Sequence, residues 1–220
     1  MTITLRLPID AIICDMDGLL VDSEGLSVEA WRMALAEQGA LLTDADIDEM
    51  FGLRIDEDAA LLIDRYHLTA TVAELVAAKS ARMLAMVATH LAPMPGAREL
   101  SEWFMATEVP HAVATSGLGD YAVGCLTATG LLGAFPIRVA GDEVPHGKPA
   151  PDIFLEAARR LGIRPERCLV LEDAPHGVAA ANAAGMRVIA VPNAFTAPLP
   201  FPPVTARMAS LHEVLAQVRS

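Results

Sequence analysis

The chain has 220 residues, of which 53% are hydrophobic, and its formal net charge at pH 7 is −12. A chain of this size and composition can bury a substantial core and carry a second small domain. The negative charge argues against nucleic acid and anionic membranes as partners, and no apolar run approaches the roughly 20 residues of a membrane span.

The first residues lack the charged start and the long apolar stretch of a signal peptide. The three cysteines, Cys14, Cys125 and Cys168, lie far apart among apolar residues. Cysteines in this pattern are typical of small buried side chains in a reducing compartment. We therefore expect a cytoplasmic monomer that binds neither nucleic acid nor a membrane.

Two carboxylates stand where the first predicted strand gives way to a glycine. Residues 11–14, Ala-Ile-Ile-Cys, form a short apolar run of the kind found in strands buried on both faces, and Asp15-Met-Asp17-Gly18 follows. The carboxyl end of a central strand is where open α/β sheets bind ligands. Two acids this close repel each other unless a cation or a shared proton intervenes, which indicates a site for a hard metal ion, a nucleophile with an acid/base partner, or both. A solvated turn is the structural alternative.

Residues 24–89 contain no convincing strand. Val28, Trp31 and Leu35 fall at helical spacing, as do further apolar residues downstream. We predict an all-helical insertion over 24–89, placed directly after the aspartate loop, with a core formed by residues 1–23 and 90–220. Pro93 and Pro95-Gly96 mark the return to the core.

Apolar strand-like runs alternate with helical stretches in the rest of the chain. Strands are predicted over residues 111–115, 137–140, 168–171 and 188–191, and helices over 121–129, 152–161 and 177–184. A proline-rich stretch at 192–203 precedes a short last strand and a helix over 211–218. This alternation predicts an α/β fold with a doubly wound parallel sheet.

Three further strand ends or loops carry polar residues of matching chemistry. Thr115-Ser116-Gly117 follows one strand and is expected to open a helix, Lys148 stands in a proline-rich loop, and Glu172-Asp173 ends another strand. Each motif also has a purely structural alternative. Thr115 could cap a helix, Lys148 could be a solvated loop charge, and Glu172-Asp173 could form a turn and a helix cap. Together they suit phosphoryl transfer, in which carboxylates hold a divalent cation while a lysine and backbone amides neutralise phosphate charge.

These four motifs resemble those of the haloacid dehalogenase-like superfamily. The match runs through Asp15-Met-Asp17-Gly-Leu-Leu-Val-Asp-Ser-Glu24, Thr115, Gly147-Lys148-Pro-Ala-Pro-Asp152 and Glu172-Asp173-Ala-Pro-His-Gly177, and it covers about residues 9–193. The insertion resembles the helical cap of the β-phosphoglucomutase-like subgroup. The resemblance implies a Rossmann-like core with a mobile helical lid.

The resemblance also implies a role for each motif residue. Asp15 would attack phosphorus to form an aspartyl-phosphate, and Asp17 would protonate the leaving oxygen and then activate water. Mg²⁺ would be held by Asp15, the backbone carbonyl of Asp17 and Asp173, with Glu172 close by. Thr115 and Lys148 would hold the phosphate, with Ser116 and Gly117 beside Thr115.

Within this family a phosphatase and a phosphomutase are the two serious alternatives. The mutases carry a histidine about twelve residues after the nucleophile, where this chain has Ser27. The run Asp22-Ser23-Glu24 is typical of the phosphatases, and residues 91–97, 146–155 and 168–191 resemble the branch of pseudouridine-5′-phosphatases and glycerol-3-phosphatases. We therefore predict an Mg²⁺-dependent phosphatase acting on a small phosphomonoester (a sugar, polyol or nucleoside phosphate), with a β-phosphoglucomutase-type mutase as the alternative.

Cap residues are expected to recognise the substrate. Arg54, and Lys79 or Arg82, are candidates to contact a polar or second anionic group, and the alternative for each is a solvated surface charge.

A dinucleotide-binding oxidoreductase is the rival from another class. Gly117-x-Gly119-x-x-Ala122 fits the fingerprint of such enzymes, follows a predicted strand, and has Asp142 about 20 residues on. That interpretation leaves Asp15, Asp17 and Lys148 without a role. A binding module built on an inactive phosphatase core is a further alternative, although every catalytic position is intact.

Overall fold

The computed structural model describes residues 9–50 and 55–219. Its contacts divide the chain into two compact units, Met1–Asp22 with Ala92–Ser220, and Ser23–Leu91. The sequence-based division into a core of residues 1–23 and 90–220 and a cap of residues 24–89 stays a prediction, because contacts within a unit do not test independent folding.

The larger unit is built on a parallel sheet. In the described part of the chain the strands are β1 (Ala11–Cys14), β2 (His111–Ala114), β3 (Arg138–Val139), β4 (Cys168–Glu172), β5 (Arg187–Ala190) and β6 (Ala206–Arg207), in the order β3-β2-β1-β4-β5-β6. All neighbouring strands among them are parallel. The chain order reverses between β1 and β4, which is the switch point of a doubly wound fold. The predicted fold class is confirmed.

In the described part of the chain most helices agree with the sequence pattern, and the helix over Ala97–Thr107 is one that the sequence analysis did not predict. The described helices are α1 (Glu24–Ala36), α2 (Asp44–Met50), α3 (Ile55–Tyr66), α4 (Val72–His90), α5 (Ala97–Thr107), α6 (Gly119–Ala128), α7 (Asp152–Leu161), α8 (Pro175–Ala183) and α9 (Leu211–Val218). The bounds of α7 and α9 are those predicted. Helices α6 and α8 begin two residues earlier than predicted, and α8 does so because Pro175 suits the first turn of a helix. Among the described residues, no helix is long and apolar enough to cross a membrane.

The central strands are apolar because they are covered on both faces. Every residue of β1 and β4 is buried. Alternate residues of β1, Ala11 and Ile13, pack in one cluster with Phe154 of α7 and Val178 of α8. Since side chains alternate between the faces of a strand, Ile12 and Cys14 point to the opposite face. The three cysteines of the chain, all within the described residues, are buried free thiols.

The smaller unit, as far as it is described, is helical and has its own core. Trp31 and Leu35 of α1 pack with Leu62 of α3 and Leu75 of α4. The buried row of α4 is Leu75, Lys79, Met83 and Val87, which stand four residues apart on one face. Lys79 therefore lies in an otherwise apolar row and is buried, with its ammonium 5.9 Å from the centre of the Trp31 ring.

Candidate active site

The candidate site lies at the switch point, where β1 and β4 end side by side. Cys14 pairs with Leu171, and the Asp15 N–H donates to the Leu171 carbonyl at 2.9 Å. This register places Asp15, the first residue after β1, beside Glu172, the last residue of β4. Both carboxylates are buried, at 6% and 1% exposure. Two acids are thus fixed at one edge of the sheet.

Lys148 joins these two carboxylates. Its ammonium donates to Asp15, to Glu172 at 2.7 Å and to the Ala114 carbonyl at 3.2 Å. Its side chain is only 7% exposed, and the ring of Phe154 lies 4.9 Å from the ammonium. Since an ammonium has three hydrogens, each has an acceptor here. Lys148 is therefore part of the buried site and not a solvated loop charge.

The ionisable side chains at this edge of the sheet carry more negative than positive charge when all of them are ionised. Burial raises the pKa of Asp15, against the attraction of Lys148. Burial lowers the pKa of Lys148, but Asp15 and Glu172 outweigh it and the net shift is upward. Asp15, Glu172 and Asp173 offer oxygens that all lie within 4.8 Å of one another. Because Lys148 balances only one of these three charges, the donor set suits a hard divalent cation.

Asp173 is held by an asparagine that sequence reasoning missed. The Asn193 amide donates to Asp173 at 2.8 Å and to the Gly18 carbonyl at 3.2 Å. Gly18 has φ +73°, and a Cβ there would lie 2.5 Å from both the Asn193 amide nitrogen and an Asp173 oxygen. The glycine after Asp17 is thus required by conformation and by space. Asn193 could have been found by the rule used for the other motifs, since it is a polar residue just after a buried strand.

Asp17 is held separately, by two hydroxyl groups. Thr115 donates to one carboxylate oxygen at 3.1 Å, and Tyr121 donates to the other at 2.8 Å. Among the described residues, the Asp17 carboxylate is not part of the cluster of Asp15, Glu172 and Asp173. Burial, followed by the charge of Asp17, raises the pKa of the Tyr121 phenol, so the phenol stays a donor. Sequence reasoning missed Tyr121, and no local signal marks a helical residue whose partner lies in a loop about 100 residues away in sequence.

The Thr115-Ser116-Gly117 segment forms a turn before α6. The expectation that it opens the helix is wrong: α6 begins at Gly119, two residues after this segment ends. The Gly117 N–H instead donates to the Thr115 hydroxyl at 3.0 Å. Ser116 is exposed. The backbone N–H of Gly119, the first residue of α6, donates to the Asp142 carboxylate at 3.1 Å.

The glycines of the apparent dinucleotide fingerprint have other uses. A Cβ on Gly117 would lie 2.7 Å from the Tyr121 ring, so Gly117 makes room for that ring. The Gly119 amide, which a dinucleotide phosphate would need, is occupied by Asp142. The contact with Tyr121 accounts for Gly117 without a nucleotide, and the bond to Asp142 uses the Gly119 amide hydrogen.

The predicted cap residues fall in different surroundings. Arg54 lies outside the described residues. Lys79 is buried within the helical unit, close enough to Asp58 to act on its charge, and Arg82 pairs with Glu37 on the surface. The assignment of Arg54 and Lys79 to substrate binding stays a prediction.

Comparison with known proteins identifies the family. The family model described as haloacid dehalogenase-like hydrolase matches residues 12–191. The chain belongs to this family. A probable pseudouridine-5′-phosphatase of Drosophila melanogaster is 39% identical over 186 residues, covering 81% of this chain and 80% of that protein.

A second sequence relative and a solved structure are also similar to this haloacid dehalogenase-like hydrolase. Fructose-1-phosphate phosphatase YqaB of Escherichia coli (strain K12) is 34% identical over 183 residues, covering 82% of this chain and 95% of that protein. The crystal structure of CbbY from Rhodobacter sphaeroides in complex with phosphate has a TM-score of 0.86 and 28% identity, covering 96% of this chain and 100% of that one. The family resemblance seen in the sequence is confirmed. Phosphatases of this family use a divalent metal ion, and the buried acidic cluster suits one.

Proposed function

We propose that this chain is a metal-dependent phosphatase that hydrolyses a small phosphomonoester by way of a phosphoryl group carried on Asp15. The observation that carries the proposal is the buried group of Asp15, Lys148, Glu172 and Asp173 at the switch point of the sheet. Family membership and the named phosphatases among the relatives support a hydrolase reaction.

The contacts of each side chain suit a distinct role. An oxygen of Asp15 attacks phosphorus, and the bond from phosphorus to the leaving oxygen breaks. Asp17 gives its proton to that leaving oxygen and later takes a proton from the water that attacks the phosphorylated Asp15. Lys148 neutralises phosphate charge as the reaction proceeds, because Glu172 and the Ala114 carbonyl hold it in place.

Phosphate binding is assigned to Lys148 and to the turn after β2. Thr115, Ser116 and Gly117 lie on this turn, beside the strand that carries Asp15. The Thr115 hydroxyl already accepts one hydrogen bond from Gly117 and donates one to Asp17. Contact between Thr115 and phosphate therefore has to share or replace one of these bonds.

We assign the divalent ion as Mg²⁺. Asp15, the backbone carbonyl of Asp17 and Asp173 would hold it, and Glu172 lies within reach of the same cluster. Both Glu172 oxygens already accept hydrogen bonds, from Lys148 and from the Ala174 amide at 3.1 Å. This favours Glu172 as a support for Lys148. When bound, the ion would neutralise and orient the phosphate for attack.

The substrate class is drawn from the relatives. Two of them are named for a phosphorylated nucleoside and a phosphorylated sugar, so we propose a sugar, polyol or nucleoside monophosphate. The three buried free thiols suit a reducing compartment, and we propose the cytoplasm. The monomeric state stays a prediction.

A phosphomutase is the second candidate, because it shares the same first chemical step. A mutase must keep water from the phosphorylated aspartate until a sugar hydroxyl captures the phosphoryl group. Ser27 occupies the position on α1 where mutases carry a histidine, so that position has no base to activate such a hydroxyl. This favours hydrolysis.

One experiment tests the proposal and its alternative. Purified protein with Mg²⁺ is screened for phosphate release from sugar, polyol and nucleoside monophosphates, and an Asp15→Asn variant is the control. β-Glucose 1-phosphate is then supplied with and without glucose 1,6-bisphosphate. We expect steady phosphate release that needs no bisphosphate. Glucose 6-phosphate forming much faster than phosphate would identify a mutase, and no turnover of any ester would refute both.

A further inference from the structure

Tyr121 contacts Asp17 across the sheet edge. It lies in the first turn of α6, and its hydroxyl donates to one Asp17 oxygen at 2.8 Å, while Thr115 donates to the other oxygen at 3.1 Å. Both oxygens of this carboxylate are therefore held by the segment that follows β2. A carboxylate held on both oxygens cannot turn about its own axis without losing a hydrogen bond.

The surroundings of Tyr121 are shaped to permit this contact. A Cβ on Gly117 would lie 2.7 Å from the tyrosine ring and 3.3 Å from the Thr115 hydroxyl, so only glycine leaves room for both groups. The Gly117 N–H also donates to the Thr115 oxygen at 3.0 Å, which leaves the single hydroxyl hydrogen of Thr115 for Asp17. Gly117, Thr115 and Tyr121 thus act as one unit around Asp17.

We propose that Tyr121 is a positioning residue that orients the Asp17 carboxyl group for proton transfer to the leaving oxygen. This inference rests on the proposed phosphatase function. As the bond from Asp15 to phosphorus forms and the bond to the leaving oxygen breaks, the Asp17 proton moves to the leaving oxygen. Water then attacks the phosphorus and gives a proton to Asp17, while the bond from phosphorus to the Asp15 oxygen breaks. Inorganic phosphate leaves, and both carboxyl groups are restored. Tyr121 neither gains nor loses a proton in this cycle.

The basicity of the leaving group separates this role from a merely structural one. An alkoxide is a strong base, and its departure needs a proton, whereas p-nitrophenolate is a weak base that leaves without one. A misdirected Asp17 therefore slows alkyl esters and spares aryl esters. Damage to the fold, to Asp15 or to metal binding slows both kinds of ester equally.

The test compares Tyr121→Phe with the wild type on glycerol 3-phosphate and p-nitrophenyl phosphate. The measured quantity is kcat/KM, which reports the transfer to Asp15 and excludes the later hydrolysis step. We expect kcat/KM for the alkyl ester to fall about 10-fold and that for the aryl ester to change by less than about 2-fold. Asp17→Asn gives the reference pattern for loss of the proton donor.

Either of two results would overturn the proposal: an equal loss on both esters, or no loss on either. Because both esters are measured on one preparation, the ratio of the two values does not depend on the folded fraction. Failure of the proposed function is distinguishable, since the wild type itself would then release no phosphate from either ester.

Discussion

Gly177 is required by the carboxylate that it faces. A Cβ at this position would lie 1.6 Å from an oxygen of Glu172, the residue that holds Lys148. We expect Gly177→Ala to displace Glu172 and to lower kcat at least about 10-fold. The measurement is phosphate release at saturating substrate.

Gly124→Ala in α6 is the matched control for Gly177→Ala. No other group lies within 4 Å of a Cβ at Gly124. This variant is expected to keep full activity and to gain about 0.5–1 kcal/mol of stability from better helix propensity. Unchanged activity in Gly177→Ala would contradict the role given to Glu172.

Asn193 is expected to support metal binding through Asp173. Its amide fixes Asp173, a proposed metal ligand, and such supporting contacts change metal affinity about 10–100-fold. We expect Asn193→Ala to raise the Mg²⁺ concentration for half-maximal activity within that range. The measurement is activity against Mg²⁺ concentration at saturating substrate.

Asn182→Ala controls for loss of an asparagine amide elsewhere. Asn182 donates to the Pro203 carbonyl at 2.9 Å on the exposed side of α8. Its Mg²⁺ requirement is expected to match that of the wild type. The same Mg²⁺ dependence in the Asn193 and Asn182 variants would show that Asn193 does not support the metal site.

At the scale of elements, the strands and their ends could be predicted from sequence. Runs such as residues 168–171 are apolar because both faces of the sheet are covered, and the acid that follows β1, Asp15, and the acid that ends β4, Glu172, mark the ligand-binding edge. Asp15, Lys148, Glu172 and Asp173 meet at that edge, as the motifs predicted.

Contacts that involve residues outside the motifs could not be predicted when the two side chains lie on different elements. The Tyr121 hydroxyl donates to Asp17 across the sheet edge. Lys79, in the apolar row of α4, lies near Trp31 and close enough to Asp58 to act on its charge. Neither pair is close in sequence. A lysine at a buried helical position is read as a surface charge unless its partner is known, because lysine is almost never fully buried unpaired.

Asp58 in α3 is expected to make the free energy of unfolding depend on pH. Its side chain is buried and, among the residues that the structure describes, one of its oxygens has no hydrogen-bond partner. Burial raises its pKa to about 7, helped by Glu57, Asp56 and Glu24 and opposed by Lys79. The pKa of an aspartate in the unfolded chain is about 4, so between pH 4 and pH 7 the carboxyl is protonated in the folded state and ionised in the unfolded state. The free energy of unfolding therefore falls as pH rises through this range.

Asp58→Asn is expected to remove this pH dependence. The advantage of the variant over the wild type in free energy of unfolding should be about 2–3 kcal/mol larger at pH 8 than at pH 5. Urea unfolding at the two pH values measures the change. Asp64→Asn, at an exposed position of the same helix, is the control variant and should keep the pH profile of the wild type. Parallel pH profiles for the wild type and Asp58→Asn would contradict the assignment.

At the scale of the whole molecule, a net charge of −12 opposes the approach of a negatively charged phosphate ester, so the binding site needs positive charge of its own. An acidic protein attracts a phosphate dianion only where cations are concentrated, and in the proposed function Lys148 together with a divalent ion would provide this at the switch point. We expect EDTA to abolish activity and Mg²⁺ to restore it. Full activity in chelator would contradict the site.

Calcium should inhibit the Mg²⁺-loaded protein. Its bonds to oxygen are longer and more numerous, so it is expected to engage both oxygens of Asp15 and to hold them away from phosphorus. The measurement is phosphate release at fixed Mg²⁺ with rising Ca²⁺. Activation by Ca²⁺ to the level reached with Mg²⁺ would contradict this.

The most direct test of the central claim is to find the phosphoryl group on Asp15. The wild type is mixed with its best substrate and Mg²⁺, quenched in acid within milliseconds, and digested for mass spectrometry. We expect the peptide that contains Asp15 to gain the mass of one phosphoryl group, and Asp15→Asn to retain its fold while losing both this adduct and nearly all phosphate release. Wild-type turnover in Asp15→Asn, or an adduct that persists on another residue, would contradict the account.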